Sequence, residues 1–166
     1  MTARKTTPRK RRRRPERTAG QGKRGAIALK RILVPIDLSD RNARTLKVAL
    51  ALGRDARARV TLFHVVQQVP GLAAGEMRAF YDRLLTVSRQ KLGRTAKAFT
   101  AKGIAVRCEV CVGEPAREIV RAAARWRADV IVMGSHRVDP KRRFAGWGTT
   151  SYKVGILCRC PILLVK

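Results

Sequence analysis

Short apolar runs recur along the chain and are separated by longer segments with a different periodicity. The runs cover residues 31–36, 60–66, 104–112, 130–133 and 161–165. The first of these runs is continuously apolar after Arg31, which is typical of a strand buried inside a parallel sheet. We therefore predict five strands.

The segments between these runs place apolar residues at helical spacing. Helices are predicted over 41–54, over 73–102, from Pro115 onward, and over 149–158. Pro115 suits the first position of a helix because its missing N–H would have no partner there. In the longest helix, five apolar side chains are predicted to face inward. They are Met77, Phe80, Leu84, Val87 and Leu92.

The strict alternation of strands and helices predicts an α/β domain with a parallel sheet, helices on both faces and right-handed crossovers. In such sheets, ligands bind beyond the carboxyl ends of the strands. Asp37 follows the first strand and Gly134 the fourth, so both are expected on one rim. Gly148-Thr149-Thr150 opens the last helix, whose unpaired N–H groups suit a phosphate. This rim is the candidate site.

The amino-terminal region has a different composition. Residues 1–31 hold 13 lysines and arginines against one acidic residue, Glu16, and the whole chain has a net charge of +27. Because residues 1–30 contain almost nothing apolar, they are predicted to form a disordered basic tail. The charge predicts weak, non-specific, salt-sensitive contact with nucleic acid or another polyanion through residues 4–24. The alternatives are a solvated tail that aids solubility and a start codon assigned too early.

Several classes of protein are disfavoured. No apolar run is long enough to span a bilayer, and no secretory signal opens the chain, so we expect a cytoplasmic protein. The four cysteines, at positions 108, 111, 158 and 160, are expected to be buried, inert thiols. Cys108 and Cys111 would point to opposite faces of a strand, which makes a poor chelate, so no metal site is predicted.

The rim also lacks the groups that catalysis needs. It offers no nucleophile–base pair and no second carboxylate near Asp37. His64 lies inside an apolar run and is interpreted as a hydrogen-bonded core histidine. We therefore expect a protein that is not an enzyme.

Four segments in order resemble the universal stress protein family. They are Val34–Ser39, Gly113–Pro115, Ala128–His136 and Cys160–Val165, and the resemblance covers residues 31–166. It implies a single three-layer α/β/α, Rossmann-like domain with strand order 3-2-1-4-5. It also implies a homodimer formed through strand 161–165 and a stress-response or regulatory role based on ATP, with Mg²⁺, and without substantial turnover.

The resemblance also assigns binding residues. The adenine and ribose contacts would be Pro35, Ile36, Asp37, Val65 and Met133. The phosphate contacts would be Gly134, His136, Arg137, Gly148, Thr149 and Thr150. For Asp37, an alternative role is to cap the helix after Ser39.

The phosphate loop departs from the family's pattern of glycines. Arg137 stands where the second glycine is expected, and the segment from Arg137 to Gly148 is one residue longer than the pattern. Arginine can itself hold a phosphate through its fork of donors. The alternative is a dimeric interaction module of the same fold that binds no nucleotide.

Overall fold

The computed structural model describes residues 28–68, 74–135 and 149–166, with side chains from 77 onward in the second segment. Most of the predicted basic tail therefore lies outside the described residues. Within these three segments, no helix has the length and apolar character needed to cross a membrane.

Strands and helices alternate as the sequence predicts. The strands are β1 (Arg31–Pro35), β2 (Arg59–Gln67), β3 (Val106–Gly113), β4 (Val130–Gly134) and β5 (Ile162–Val165). The helices are α1 (Ala43–Asp55), α2 (Ala74–Thr100), α3 (Pro115–Arg125) and α4 (Thr150–Leu157), and a 3-10 turn, Asp40–Asn42, precedes α1. All strand pairs are parallel, and the order is β3-β2-β1-β4-β5, which confirms the predicted fold.

The core has two parts, one on each face of the sheet. Under α1 and α2, Val34, Leu62 and Phe99 are almost fully buried. Under α3 and α4, Phe63 and Ile131 are equally buried. Because consecutive strand residues point to opposite faces, one continuous apolar run supplies both layers. Burying each such side chain stabilises the fold by about 1.5–3 kcal/mol.

The long helix α2 is only partly packed against the sheet. Phe80 is 49% exposed and Val87 is 48% exposed, so the prediction that both face inward is wrong. Leu92 and Phe99, nearer the end of the helix, are buried as expected of an inward face. The physical reason is length: a helix of 27 residues spans roughly 40 Å, whereas the eight residues of β3 span roughly 26 Å.

Three helices end in the same hydrogen-bonded turn at the amino end of the sheet. In α1, the Ala58 N–H donates to the Gly53 carbonyl (2.9 Å); in α3, Ala128 donates to Ala123 in the same way (2.9 Å). This Schellman turn needs a residue with left-handed backbone conformation, usually glycine. In α2 that residue is Gly103 (φ 71), as the sequence suggests.

In α1 and α3 the left-handed position holds an arginine instead. Arg57 has a φ of 49° and Arg127 a φ of 47°. A side chain at such a position costs about 1 kcal/mol, because its Cβ crowds the following carbonyl oxygen. The fold tolerates this cost twice at the same end of the sheet.

The cysteines are free thiols in the structure. Partial desolvation of the thiol raises the pKa of Cys108, and the same effect raises that of the half-buried Cys111 to about 11. Burial, together with the hydrogen bond to Cys158, raises the pKa of Cys160 to about 12; the two sulfur atoms are 3.3 Å apart. The prediction of burial is wrong for Cys108, which is exposed on the edge strand β3, and the other three cysteines are half-buried.

Candidate functional site

A cleft of about 700 Å³ opens at the carboxyl ends of the central strands. It lies where the strand order reverses between β1 and β4, which is the usual ligand site of such sheets. Its volume is in the range of small-molecule sites. Eight of the predicted binding residues line it: Pro35, Ile36, Asp37, Val65, Met133, Gly134, Thr149 and Thr150.

Asp37 is held in place by the loop that follows β1. Its Oδ1 atom accepts hydrogen bonds from the Ser39 backbone N–H (2.9 Å), the Ser39 hydroxyl (2.6 Å) and the side-chain amide of Asn42. Among the described residues none donates to Oδ2, which leaves this oxygen for a ligand. Burial opposes ionisation, but these hydrogen bonds and the charge of Arg41 outweigh it, so the pKa of Asp37 lies below its usual value.

The two roles considered for Asp37 are therefore compatible. Ser39, the residue before the 3-10 turn, has no side-chain cap of its own, and Asp37 Oδ1 binds its N–H instead. All three bonds go to one oxygen, so the carboxylate organises the loop with Oδ1 while the residue also lines the cleft.

Two further residues shape this loop and were not identified from the sequence. Asn42 is buried, and its amide nitrogen also donates to the Ser39 carbonyl (3.0 Å). Leu38 has a φ of 60°, which is strained for a leucine, and its side chain packs against the core layer under α1. That packing offsets a backbone cost of about 1 kcal/mol. Strain of this kind concentrates at functional sites.

An apolar surface forms one wall of the cleft. Ile36, Phe63 and Met133 are buried residues that line it, together with the half-buried Val65. Such a wall suits the flat face of an aromatic ligand.

His64 lies at the same wall. Its Nδ1 atom is 2.8 Å from the Ile36 carbonyl, and because a carbonyl oxygen only accepts, Nδ1 carries the proton. The histidine is hydrogen-bonded as expected, but it is half-buried and lines the cleft, so its interpretation as a core residue is wrong.

The amino terminus of α4 forms the opposite, polar side of the cleft. Thr149 is the N-cap residue, and its hydroxyl accepts a hydrogen bond from the Tyr152 N–H (3.3 Å). The first backbone hydrogen bond of the helix runs from the Lys153 N–H to the Thr149 carbonyl. The N–H groups of Thr150 and Ser151 therefore come before the first residue that donates within the helix. Both residues line the cleft, and free N–H groups at a helix start favour an anion.

Gly134 ends β4 beside this helix start. A Cβ atom built there would lie 3.4 Å from the Thr45 hydroxyl, which is close to ordinary van der Waals contact. The other three predicted phosphate contacts, His136, Arg137 and Gly148, lie outside the described residues.

The sequence analysis also did not identify the positively charged side chains at the cleft. Arg41 and Arg44, near the start of α1, line it together with Lys166 at the end of the chain. Within the described segments, no carboxylate forms an ion pair with any of the three. The available signal was the Arg-x-x-Arg spacing directly after Asp37, which places both arginines near the start of one helix.

The cleft thus combines an apolar wall, one carboxylate and a group of anion-binding donors. A molecule with a base, a hydroxyl-bearing sugar and a phosphate could match these three groups. The base would suit the apolar wall, the hydroxyls the carboxylate, and the phosphate the donors. Within residues 28–68, 77–135 and 149–166, no three His, Cys, Asp or Glu side chains come together as they would around a metal ion.

Comparison with known proteins agrees with this geometry. The model of the universal stress protein family matches residues 28–166. The universal stress protein MJ0531 of Methanocaldococcus jannaschii is 30% identical over 145 residues, covering 86% of this chain and 85% of the relative.

Two solved structures share the fold. A universal stress protein from Archaeoglobus fulgidus in complex with dAMP superposes with a TM-score of 0.58 at 23% identity, covering 84% of this chain and 99% of that one. A universal stress protein in complex with cAMP gives a TM-score of 0.61 at 19% identity, covering 83% and 97%. The family match extends over the whole sheet and the cleft, and the chain belongs to the universal stress protein family.

Proposed function

We propose that this protein binds an adenine nucleotide, ATP with Mg²⁺, in the cleft and acts as a homodimeric stress-response regulator without substantial turnover. The observation that carries the proposal is the convergence of Asp37, the start of α4 and two arginines, Arg41 and Arg44, on one cleft of about 700 Å³.

Each part of a nucleotide has a matching group. Ile36, Val65 and Met133 supply the apolar wall for adenine, and Asp37 Oδ2 is available to accept hydrogen bonds from ribose hydroxyls. The N–H groups of Thr150 and Ser151 would hold phosphate oxygens. The dAMP and cAMP complexes of proteins with the same fold support the adenine assignment.

The charge of the cleft supports a polyphosphate rather than a neutral nucleoside. The cationic side chains of Arg41, Arg44 and Lys166 outnumber the single side-chain carboxylate among the described cleft residues, that of Asp37. Guanidinium groups pair well with phosphate oxygens. Mg²⁺ would arrive bound to the phosphates, since it usually keeps waters and takes few ligands from protein.

Absence of substantial turnover is proposed because Asp37, the single side-chain carboxylate among the described cleft residues, is poorly suited to act as a base. The Oδ1 atom of Asp37 already accepts three hydrogen bonds, and its lowered pKa makes it a weak base. The four free cysteines fit a reducing compartment, so we place the protein in the cytoplasm.

The nucleotide proposal is tested on protein purified without added ligand. Denaturation should release an adenine nucleotide that chromatography detects, and Thr149→Ala should reduce the amount released, whereas Thr149→Ser, which keeps the capping hydroxyl, should not. Absence of nucleotide, together with no binding of added ATP–Mg²⁺, would instead favour an interaction module without a ligand.

The dimer proposal rests on the free edge of β5. Leu163 (40%) and Leu164 (44%) are exposed on this edge strand, and Ile156 and Leu157 of the adjoining helix are exposed as well. An apolar edge of this kind is normally covered by another chain. Light scattering should give a dimer for the natural protein and a monomer for Leu163→Asp; a monomer in both would contradict the proposal.

A further inference from the structure

Cations are arranged in a row at the amino end of the sheet, opposite the cleft. Arg31 and Arg59 are register partners at the first positions of β1 and β2. The Arg59 N–H donates to the Lys30 carbonyl (2.8 Å), which places Lys30 in the same row. Neighbouring strands lie about 4.8 Å apart, so these side chains start close together.

The helix-ending turns add cations to this end. Arg57 and Arg127 occupy the left-handed positions of the turns that lead into β2 and β4, and both are exposed. Lys102 lies beside Gly103, which fills the equivalent position after α2. Because glycine occupies the left-handed position after α2, this type of turn does not require an arginine at that position.

The acidic groups at this end are already paired. Asp129 binds Arg31 (2.7 Å), Asp55 binds Arg54 (2.9 Å), and Glu109 binds Arg125. Around the starts of β1 to β4, six cations therefore form no ion pair with any carboxylate of the described residues. They are Lys30, Arg57, Arg59, Lys102, Arg107 and Arg127.

One of these cations is fixed by an aromatic ring. The Arg107 guanidinium lies 4.0 Å from the centre of the Trp126 ring, and that of Arg125 lies 5.2 Å from it. Trp126 directly precedes Arg127 and caps α3. Stacking holds a guanidinium in place while its N–H groups remain available, which reduces the entropy lost on binding.

We propose that these six residues, the amino-end basic face, bind the phosphate backbone of nucleic acid. Arginine predominates among them, and its fork of donors matches phosphate oxygens. An anionic membrane fits less well because it needs an apolar anchor. The exposed large apolar side chains nearest this end are Ile156 and Leu157, in the last turn of α4, and the proposed dimer interface would cover them.

The basic segment before the fold joins the chain at the same end. Residues 1–27 contain 11 lysines and arginines, and β1 begins at Arg31, in the middle of the row. Polyanion contact predicted for residues 4–24 would thus continue onto the folded domain. The folded face makes a separate contribution that substitutions can measure.

The test uses the full chain and a short fluorescein-labelled DNA duplex, with anisotropy measured over a series of salt concentrations. The double variant Arg57→Gly/Arg127→Gly removes two cations and puts glycine where the backbone favours it, so its thermal midpoint should be nearly unchanged. Loss of two phosphate contacts should weaken binding about tenfold or more at low salt and lower the slope of log K against log salt by about 2.

The matched control is Arg83→Gln/Arg94→Gln on the exposed side of α2, which removes the same charge elsewhere. It should keep the salt slope of the natural protein. Equal losses in the two double variants would overturn the proposal, because net charge alone would then explain binding. Binding to phosphatidylserine vesicles without binding to the duplex would also overturn it.

Discussion

The carboxyl and amino ends of the parallel sheet are formed by the same strands and helices, yet they carry different chemistry. At the carboxyl end the loops separate to form a cleft, whose polar groups include Asp37 and the start of α4. At the amino end the helices close in tight turns that expose Arg57 and Arg127.

Helix polarity explains much of this difference. Helix amino termini point to the carboxyl end of the sheet, where unpaired N–H groups attract anions without many cationic side chains. Helix carboxyl termini point to the other end and carry partial negative charge. An anion there must be held by side chains, and the amino-end basic face supplies them.

The largest effect is expected from the core that both ends share. Phe63 is 1% exposed and lies between the sheet and α3, so Phe63→Ala should lower the free energy of unfolding by about 3–5 kcal/mol. Phe80→Ala, at a position that is 49% exposed, is the matched control and should change it by about 0.5 kcal/mol or less. Urea unfolding measures both, and similar losses would contradict the assigned packing of α2.

At the amino end, Asp129 ties β1 to β4. Its carboxylate accepts hydrogen bonds from the N–H groups of Lys30 (2.9 Å) and Arg31 (2.8 Å) and from the Arg31 side chain (2.7 Å). Asp129→Ala should cost about 1–2 kcal/mol because two backbone donors lose their acceptor. The control is Asp55→Ala. Because Asp55 and its partner Arg54 are both exposed, this substitution should cost about 0.5 kcal/mol or less.

The same carboxylate gives a dependence on pH. The hydrogen bond from Arg31 is the main reason that the pKa of Asp129 is lowered; burial opposes it, and the backbone N–H bonds add to the lowering. Since the folded pKa lies below the unfolded value of about 3.9, the carboxylate stabilises the fold above that pH. The contribution is lost as the pH falls through the folded pKa, so the stability difference between the natural protein and Asp129→Ala should shrink in acid.

At the carboxyl end, the Thr149 cap connects stability with binding. Thr149→Ala should destabilise the protein by about 1 kcal/mol because the Tyr152 N–H loses its acceptor. Thr149→Ser should keep most of that stability. Thermal unfolding of the three proteins checks the order, and an unchanged midpoint for Thr149→Ala would show that the cap does not stabilise α4.

The smallest effect on stability is expected at the left-handed arginines. Arg57→Gly relieves a backbone cost of about 1 kcal/mol and loses a helix-terminal cation worth about 0.3–1 kcal/mol, so the net change should be below about 1 kcal/mol. Arg57→Val, which keeps the strain and adds a β-branched side chain, should be clearly less stable. Urea unfolding that ranks valine above glycine would contradict the assigned backbone conformation.

The sequence predicts the sheet well because each strand contains apolar residues in a short run, and the central strands β1, β2 and β4 are largely buried on both faces. It fails at Phe80 and Val87, since helical periodicity records apolar spacing but not where the sheet beneath the helix ends. It also cannot identify Arg57 and Arg127 as left-handed, because glycine is the usual signal for that conformation and neither turn contains one at that position.

The candidate site is predictable in outline only. Asp37 and Thr149 follow from strand ends and helix starts, which are local signals. Asn42, Arg41 and Arg44 contribute through a turn that folds back against Asp37, and this contact depends on three-dimensional geometry. The Arg-x-x-Arg spacing places both arginines near the start of α1, but it does not predict that the turn folds back against Asp37.

Calorimetric titration of ATP–Mg²⁺ into nucleotide-free full-length protein tests the central claim most directly. Asp37→Asn is the informative variant, because it keeps the Oδ1 acceptor of the loop and removes the negative charge from the cleft. The natural protein and the control Asp82→Asn, on α2, should give the same saturable heat, whereas Asp37→Asn should bind about tenfold more weakly or worse. No heat in the natural protein, or equal affinity in all three, would contradict the assignment of the cleft as a nucleotide site.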